Sequence, residues 1–290
     1  MQQDEYNLRP VWNAILDIYD VFKNICMRHN IVYYAAFGTA LGAVRHHGFI
    51  PWDDDFDVEL SRNEFKRFME VARKELPPYL KVITWRNTPE HGKMYAKIQD
   101  TRKEVLERVE SEARYCQPQG LYIDIFILDG YPVKWYGIVK RKIGQFVLKS
   151  RYRHLFGRSS QLTVKAKLAN IFGVVLNLFL PRISTVEDFL AISERRAESV
   201  PFERASLVGW YDVGKCELDR CISRKVYDDR DWCDFENTSV PLPSGVDEYL
   251  KVNYGDYMIL PPIDQRKPQH GDMQLAEWRL GPTRPRKGID

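Results

Sequence analysis

The sequence predicts an α+β protein, a mixed β-sheet flanked by helices with a basic helical lobe inserted into it. Three observations lead there. Apolar residues recur at helical intervals in stretches such as Arg9 to Arg28, and these alternate with short β-prone runs such as Val32 to Phe37 and Leu121 to Leu128. Between Asp129 and Glu187 the pattern turns helical and the chain carries no acidic residue. The 290 residues, 44% of them hydrophobic, suffice to bury a full core and an appended lobe.

Taken in order, Val11, Ile15, Ile18, Phe22 and Ile25 give the first helix its buried face, and Pro10 suits its first turn. Val32 to Phe37 reads as a strand closing in a turn at Gly38-Thr39, before a helix from Ala40 to Arg45. Asp55 to Leu60 alternates polar and apolar residues as a half-buried strand does, which sets Asp55 and Asp57 on one side. Ser61-Arg62-Asn63-Glu64 has capping-box form and opens a helix that Pro77-Pro78 stops. Strands at Leu80 to Trp85, Tyr95 to Gln99 and Leu121 to Leu128 follow, with a short helical or irregular piece near Arg102 to Ala113. After the lobe come a strand from Ser206 to Tyr211, a helix near Val246 to Asn253 stopped by Gly255, and an irregular Pro-rich tail.

The bulk numbers exclude several classes. A net charge of +3 and a pI near 8.5 are too mild for nucleic-acid binding. The start, Met1-Gln2-Gln3-Asp4-Glu5, is polar and acidic, unlike a secretory signal, so a cytoplasmic location is expected. The longest apolar run, Leu168 to Leu180, is too short for a transmembrane helix. Cys26, Cys116, Cys216, Cys221 and Cys233 form no CxxC pair and read as reduced thiols. Cys216, Cys221 and Cys233 could otherwise supply three ligands to zinc, at an irregular spacing.

The chemistry concentrates in three places. In a Gly38-Thr39 turn leading into a helix, the glycine lets backbone approach a phosphate, and the N–H groups of the helix start attract the anion. Asp55 and Asp57, spaced i and i+2, can converge on a hard cation such as Mg²⁺. Asp124, flanked by Ile123, Ile125 and Phe126, sits in a strand covered on both faces, where a carboxylate needs a partner. Three such acids suit a two-metal displacement; a structural calcium site or a plain acidic patch are the competing readings.

The run from Phe37 to Val58, FGTALGAVRHHGFIPWDDDFDV, closely resembles the signature of the LicD family of bacterial phosphocholine transferases, to which fukutin and fukutin-related protein are more distantly similar. The resemblance continues at Tyr95 to Thr101, at Tyr122 to Phe126 and at Tyr249 to Met258 with Leu260-Pro261-Pro262. It implies a nucleotidyltransferase-type sheet, but the middle lobe and the cysteine-bearing stretch before Ser239 match only loosely and no roles are carried over to them. The pattern along the chain divides it into residues 1–131 as a catalytic core, 132–200 as the basic helical lobe and 201–290 as a C-terminal part completing the core. In that resemblance Asp55, Asp57 and Asp124 match the metal-binding carboxylates for Mg²⁺ or Mn²⁺, and Asp124 is placed to take the acceptor's proton. Gly38 and Thr39 would hold the donor phosphate, with Arg45 and Lys97 as cationic clamps. Asp53 would assist from a second shell, and His46 and Trp52 are candidates for substrate contact. The alternatives stay open: His46 and His47 as solvent-exposed loop residues, Trp52 as loop packing, Lys97 as a snorkelling surface lysine, Asp256 as a turn residue. His270 matches a histidine seen late in the family.

The activity implied is a metal-dependent phosphotransfer of phosphocholine, or a related group, from a CDP-activated donor such as CDP-choline to a hydroxyl of a glycan or lipid-linked glycan, releasing CMP. Nucleotidyl transfer from a nucleoside triphosphate is the runner-up, and a noncatalytic glycan-binding relative the rival from another class. The acid-free lobe, with eleven Lys and Arg residues interleaved with aromatics, reads equally as a segment lying on an anionic membrane or as a solvated basic face.

Overall fold

The computed structural model describes residues 6, 8–88, 91–105, 119–156, 168, 171–175, 183, 185–211 and 221–268. In chain order the first elements are α1 (Arg9–Arg28), β1 (Tyr34–Ala35), α2 (Phe37–His46), β2 (Asp57–Ser61), α3 (Arg62–Glu75), β3 (Leu80–Ile83), β4 (Ala96–Val105) and β5 (Gln119–Tyr131). There follow α4 (Trp135–Phe156), α5 (Val186–Ala197), β6 (Leu207–Trp210), β7 (Ile222–Ser223), β8 (Arg230–Phe235), β9 (Thr238–Pro243) and α6 (Val246–Tyr254). The fold is α+β, as the periodicity predicts. The chain divides into two units, Met1–Ile83 with Tyr95–Ile127 and Lys225–Asp290, and Thr84–Met94 with Leu128–Arg224.

In the first unit the strands run in the order β1-β2-β5-β4-β3, so β2 and β5, which bring Asp57 and Asp124, lie side by side. The Asp124 N–H donates to the Phe56 carbonyl at 2.9 Å. Against the sheet, α1 buries Trp12, Ile15, Tyr19 and Phe22. Their aromatic rings build the core: Tyr19 lies 4.6 Å from Phe56, and Phe22 lies 4.8 Å from Tyr33 and 5.0 Å from Phe68. The Ser61 Oγ accepts from the Glu64 N–H at 3.3 Å and starts α3 as the capping pattern predicts. The Glu64 carboxylate, instead of closing the box, accepts from the Val32 N–H and from Arg67.

Two sequence expectations are corrected here. Gly38-Thr39 is not a turn after a strand; it lies inside the first turn of α2, which begins at Phe37 with Ala36 as its extended N-cap. Phe37 itself has φ +40°, a costly value for a bulky side chain, and is held by its N–H donating to the Tyr249 hydroxyl and its ring packing on Phe126. The strand expected from Asp55 begins only at Asp57, and all five of its residues are buried. Covered on both faces, β2 offers no solvated side.

In the second unit, residues Leu128 to Tyr131 of β5 pair antiparallel with β6, and β6 pairs with β7. Its core gathers Trp85, Met94, Leu148, Ile183, Phe189, Leu190 and Tyr211. Thr185 and Asp188 form a reciprocal capping box at the start of α5. Among the described residues no helix is long and apolar enough to cross a membrane.

Glu59 on β2 is 1% exposed and accepts hydrogen bonds from the hydroxyls of Tyr227 at 2.8 Å and Tyr249 at 3.5 Å. Burial outweighs those bonds and pushes its carboxyl from the ordinary 4.5 up to about 8. Between these values the folded chain keeps a proton that the unfolded chain releases. Stability from this group is therefore full below 4.5 and declines as pH rises towards 8. Urea titrations at stepped pH should show that decline, at up to about 1.4 kcal/mol per unit, and Glu59→Gln should flatten it.

Candidate active site

The site begins at the loop between α2 and β2, which three fastenings hold. The Trp12 indole N–H donates to the Asp53 carbonyl at 2.8 Å, while its ring stacks on Phe49 at 5.0 Å. The Glu236 carboxylate, at the turn of the β8–β9 hairpin, accepts from the Phe49 N–H at 3.2 Å, and the Glu236 N–H donates to the His47 carbonyl at 2.9 Å. Gly42 meets the Gly48 carbonyl so closely that a Cβ on it would lie 2.4 Å away.

This loop delivers Asp53 and Asp55 to the strand residues Asp57 and Asp124. Burial, then the neighbouring charges of Asp55, Asp124 and Asp53, hold the Asp57 carboxyl well above the usual range, with Lys97 opposing. Asp53 keeps part of its surface open to the cleft, yet burial, and after it the charge and hydrogen bond of Asp55, raise it in the same sense. Four carboxylates so gathered repel one another, and a divalent ion or a proton would relieve that repulsion. In their present positions no three His, Cys, Asp or Glu side chains among the described residues stand at metal-holding spacing.

Lys97 faces Asp124 across the β4–β5 register, its Nζ 3.3 Å from Oδ1 and 3.1 Å from the centre of the Tyr122 ring. It is buried, so the alternative of a snorkelling surface lysine is overturned. The Thr39 hydroxyl is buried and accepts from the Asp57 N–H at 2.8 Å, tying the first turn of α2 to β2. A Cβ on Gly38 would lie 2.3 Å from Asp53 Oδ2, so the glycine admits that carboxylate to the start of α2.

Arg45, in the last turn of α2, donates from Nη1 to the Tyr257 carbonyl at 2.6 Å and from Nε to His46 Nε2 at 2.9 Å. Burial, followed by the charges of Arg45 and His47, pushes His46 down to about 4, so its imidazole is neutral at physiological pH. The His46 ring meets Trp52 edge-on at 6.3 Å, and Arg266 lies over Trp52 at 5.7 Å. Gly38, Arg45, Trp52, Asp53, Asp55 and Asp57 line one cleft of about 380 Å³. Its opposite wall comes from Tyr254, Asp256, Tyr257, Pro261 and Gln265, which the sequence reading left out. Their signals were the family resemblance from Tyr249 to Met258 with Leu260-Pro261-Pro262, and the Tyr254-Gly255-Asp256-Tyr257 run, read as a helix end. It is that too: Gly255 closes α6 with φ +66°.

Residues 30–135 match the family model described as LicD/FKTN/FKRP, nucleotidyltransferase domain. That segment is similar to the LicD-family domain. Over 269 residues the chain is 29% identical to the lipopolysaccharide cholinephosphotransferase LicD of Haemophilus influenzae, covering 91% of this chain and 96% of that protein. Two uncharacterised rickettsial proteins are also similar. That of Rickettsia typhi is 34% identical over 28% of this chain and 25% of its own. That of Rickettsia prowazekii is 24% identical over 59% of this chain and 63% of its own. The LicD-family segment contains the aspartates and Lys97, whereas the wall formed by Tyr254 to Gln265 lies outside residues 30–135. Cys216 and His270 fall outside the described residues, so neither the zinc reading nor a role for His270 has a structural counterpart.

Thr39 gives a direct test of how the cluster is held. Thr39→Val removes the acceptor of the Asp57 N–H and should cost about 1–3 kcal/mol in denaturant unfolding, as a buried donor left unsatisfied does. Thr39→Ser should restore most of it.

Proposed function

We propose that the protein is a phosphotransferase that moves phosphocholine, or a closely related phospho-substituent, from a CDP-activated donor to a hydroxyl of a cell-surface glycan on the cytoplasmic side, releasing CMP. The observation that carries this reading is one cleft that joins Asp53, Asp55 and Asp57 to the aromatic side chains of Trp52, Tyr254 and Tyr257 and the carboxylate of Asp256. Anionic groups at one end suit a cation-bridged pyrophosphate. Aromatic faces beside a carboxylate suit a quaternary ammonium. The similarity to the Haemophilus cholinephosphotransferase over nearly its whole length supports the same choice.

Asp55, Asp57 and Asp124 fit Mg²⁺ or Mn²⁺ by their oxygen chemistry and mutual repulsion, and the ion when bound would neutralise the donor's pyrophosphate. The remaining work falls to the chain's own groups. Asp124 takes the proton of the attacking hydroxyl, with the Lys97 Nζ 3.3 Å from its Oδ1 to balance its charge. Arg45 brings positive charge to the same cleft, its position fixed by the Tyr257 carbonyl. His46, neutral and accepting from Arg45 Nε, orients that guanidinium. Thr39 and Gly38 act on the aspartates, the first by fixing the Asp57 backbone and the second by admitting the Asp53 carboxylate. Nucleotidyl transfer from a nucleoside triphosphate remains a second reading, favoured by the description of the matching family model.

Product analysis tests the choice. With CDP-choline, Mg²⁺ and a glycan acceptor, CMP should accumulate and the glycan gain the mass of phosphocholine; pyrophosphate from a nucleoside triphosphate would instead select nucleotidyl transfer. Asp55→Asn and Asp57→Asn should each lower turnover on the order of 100-fold or more, because several kcal/mol of charge stabilisation is lost. Their metal-free melting temperatures should hold or rise as repulsion is relieved. Near-normal turnover at saturating Mg²⁺ in either variant would sink the metal site.

A further inference from the structure

Helix α4 carries an apolar face that the second unit leaves in the open. Trp135 is 76% exposed, and Tyr136, Val139, Ile143 and Phe146 are exposed with it. Their positions, i, i+1, i+4, i+8 and i+11, fall within about 100° of the helix circumference at 3.6 residues per turn. Exposed Lys140 and Lys142 flank this stripe on its two sides. An exposed apolar stripe bordered by lysines is the opposite of what a solvated helix face presents.

Behind the stripe runs a groove of about 1060 Å³ between α4 and α5. Trp135, Tyr136, Val139 and Ile143 form its apolar rim, and Arg141 and Arg196 stand within it. Both cations are built in. Arg141 donates from Nη1 to the Gly130 carbonyl at 3.0 Å and lies over the rings of Tyr131 and Tyr211 at 4.1 and 5.0 Å. Arg196 rests against Gly144, where a Cβ would come within 2.8 Å of Nη1. Exposed Arg195 adds to them, and no acidic side chain lines the groove among the described residues. The surrounding sequence repeats the bias, with eleven Lys and Arg and no Asp or Glu between Asp129 and Glu187.

We propose that this face of α4 docks on an anionic phospholipid bilayer, with the stripe entering the boundary between headgroups and acyl chains and the cations of the groove and its rim meeting lipid phosphates. Charge complementarity selects the occupant. A second copy of the chain would bring the same basic, acid-free face against itself, where repulsion opposes the apolar gain. A bilayer with anionic headgroups satisfies both halves of the surface at once. The proposal does not depend on the phosphotransfer reading, and the two can fail separately because docking is read without turnover.

The test uses the full chain with vesicles of phosphatidylcholine alone or mixed with phosphatidylglycerol. The protein should sediment with the mixed vesicles at low salt and stay in solution with the neutral ones. Acyl chains brominated near the headgroup should quench tryptophan emission, and Trp135→Phe should remove most of that quenching while still sedimenting. Ile143→Glu and the pair Lys140→Glu with Lys142→Glu should each reduce vesicle binding about tenfold or more, with melting temperatures unchanged because all three side chains are exposed. Equal sedimentation with neutral and mixed vesicles would overturn the proposal. So would salt-sensitive binding without quenching, which leaves the stripe outside the lipid. A dimer in sedimentation velocity that Ile143→Glu abolishes, with no vesicle binding by the parent protein, would assign the face to a second copy instead.

Discussion

Acidic side chains brought together away from bulk water repel one another, and most of the first unit can be understood as the means of holding them there. Asp57 and Asp124 come from adjacent strands of a sheet whose central members are covered on both sides. Asp53 and Asp55 come from a loop fastened by Trp12, by Glu236 and by the close approach of Gly42 to Gly48. Apart from the Glu236 carboxylate, which also pairs with Arg9, these fastenings are uncharged. They are hydrogen bonds to main-chain groups, ring stacking and close backbone packing, and none of them uses an aspartate carboxylate. Lys97, paired with Asp124, reaches the cluster through strand register.

Where the physics is local, the sequence discloses it. Helix α1 occupies Arg9–Arg28, as its apolar spacing and Pro10 indicate, and α3 starts at the Ser61 cap and stops before Pro77. Glycine after Tyr254 ends α6 in the expected place. Local patterns mislead where a distant partner decides. Gly38-Thr39 has turn composition, yet Tyr249, more than two hundred residues away, receives the Phe37 N–H where α2 begins, three residues before the expected start at Ala40. Asp55 continues the period-two alternation of β2 but precedes the strand, because alternation records side-chain polarity and not which backbone groups find a ladder partner.

The cleft divides along the same line. The motif from Phe37 to Val58 contains the aspartates, Arg45, His46 and Trp52 as consecutive text. Lys97 was recognisable as a residue, while its burial was not, since a lysine among apolar neighbours reads equally as an exposed stem until the strand opposite is known. Tyr254, Asp256, Tyr257 and Gln265 share the cleft through tertiary folding alone, and nothing in their own spacing marks them. The basic lobe shows the complementary case. Its composition left membrane contact and a solvated face equally open, and the fold adds which positions on α4 are exposed, because composition states which residues are present and only the fold states which of them water touches.

The fastenings of the aspartate loop join residues far apart in the chain: 187 positions separate Phe49 from Glu236, and 212 separate both Arg45 from Tyr257 and Phe37 from Tyr249. Synthesis proceeds from the N-terminus, so the four aspartates leave the ribosome long before the residues that position them. A nascent chain ending anywhere before Glu236 carries the acids without the hairpin that pins their loop, and one ending before Tyr257 lacks the carbonyl that fixes Arg45. Such long-range closures are slow to form because the entropy of a large loop must be lost before the contact repays it. The cleft is therefore among the last parts of the chain to take shape, and until then the growing polypeptide carries the acids without the groups that position them.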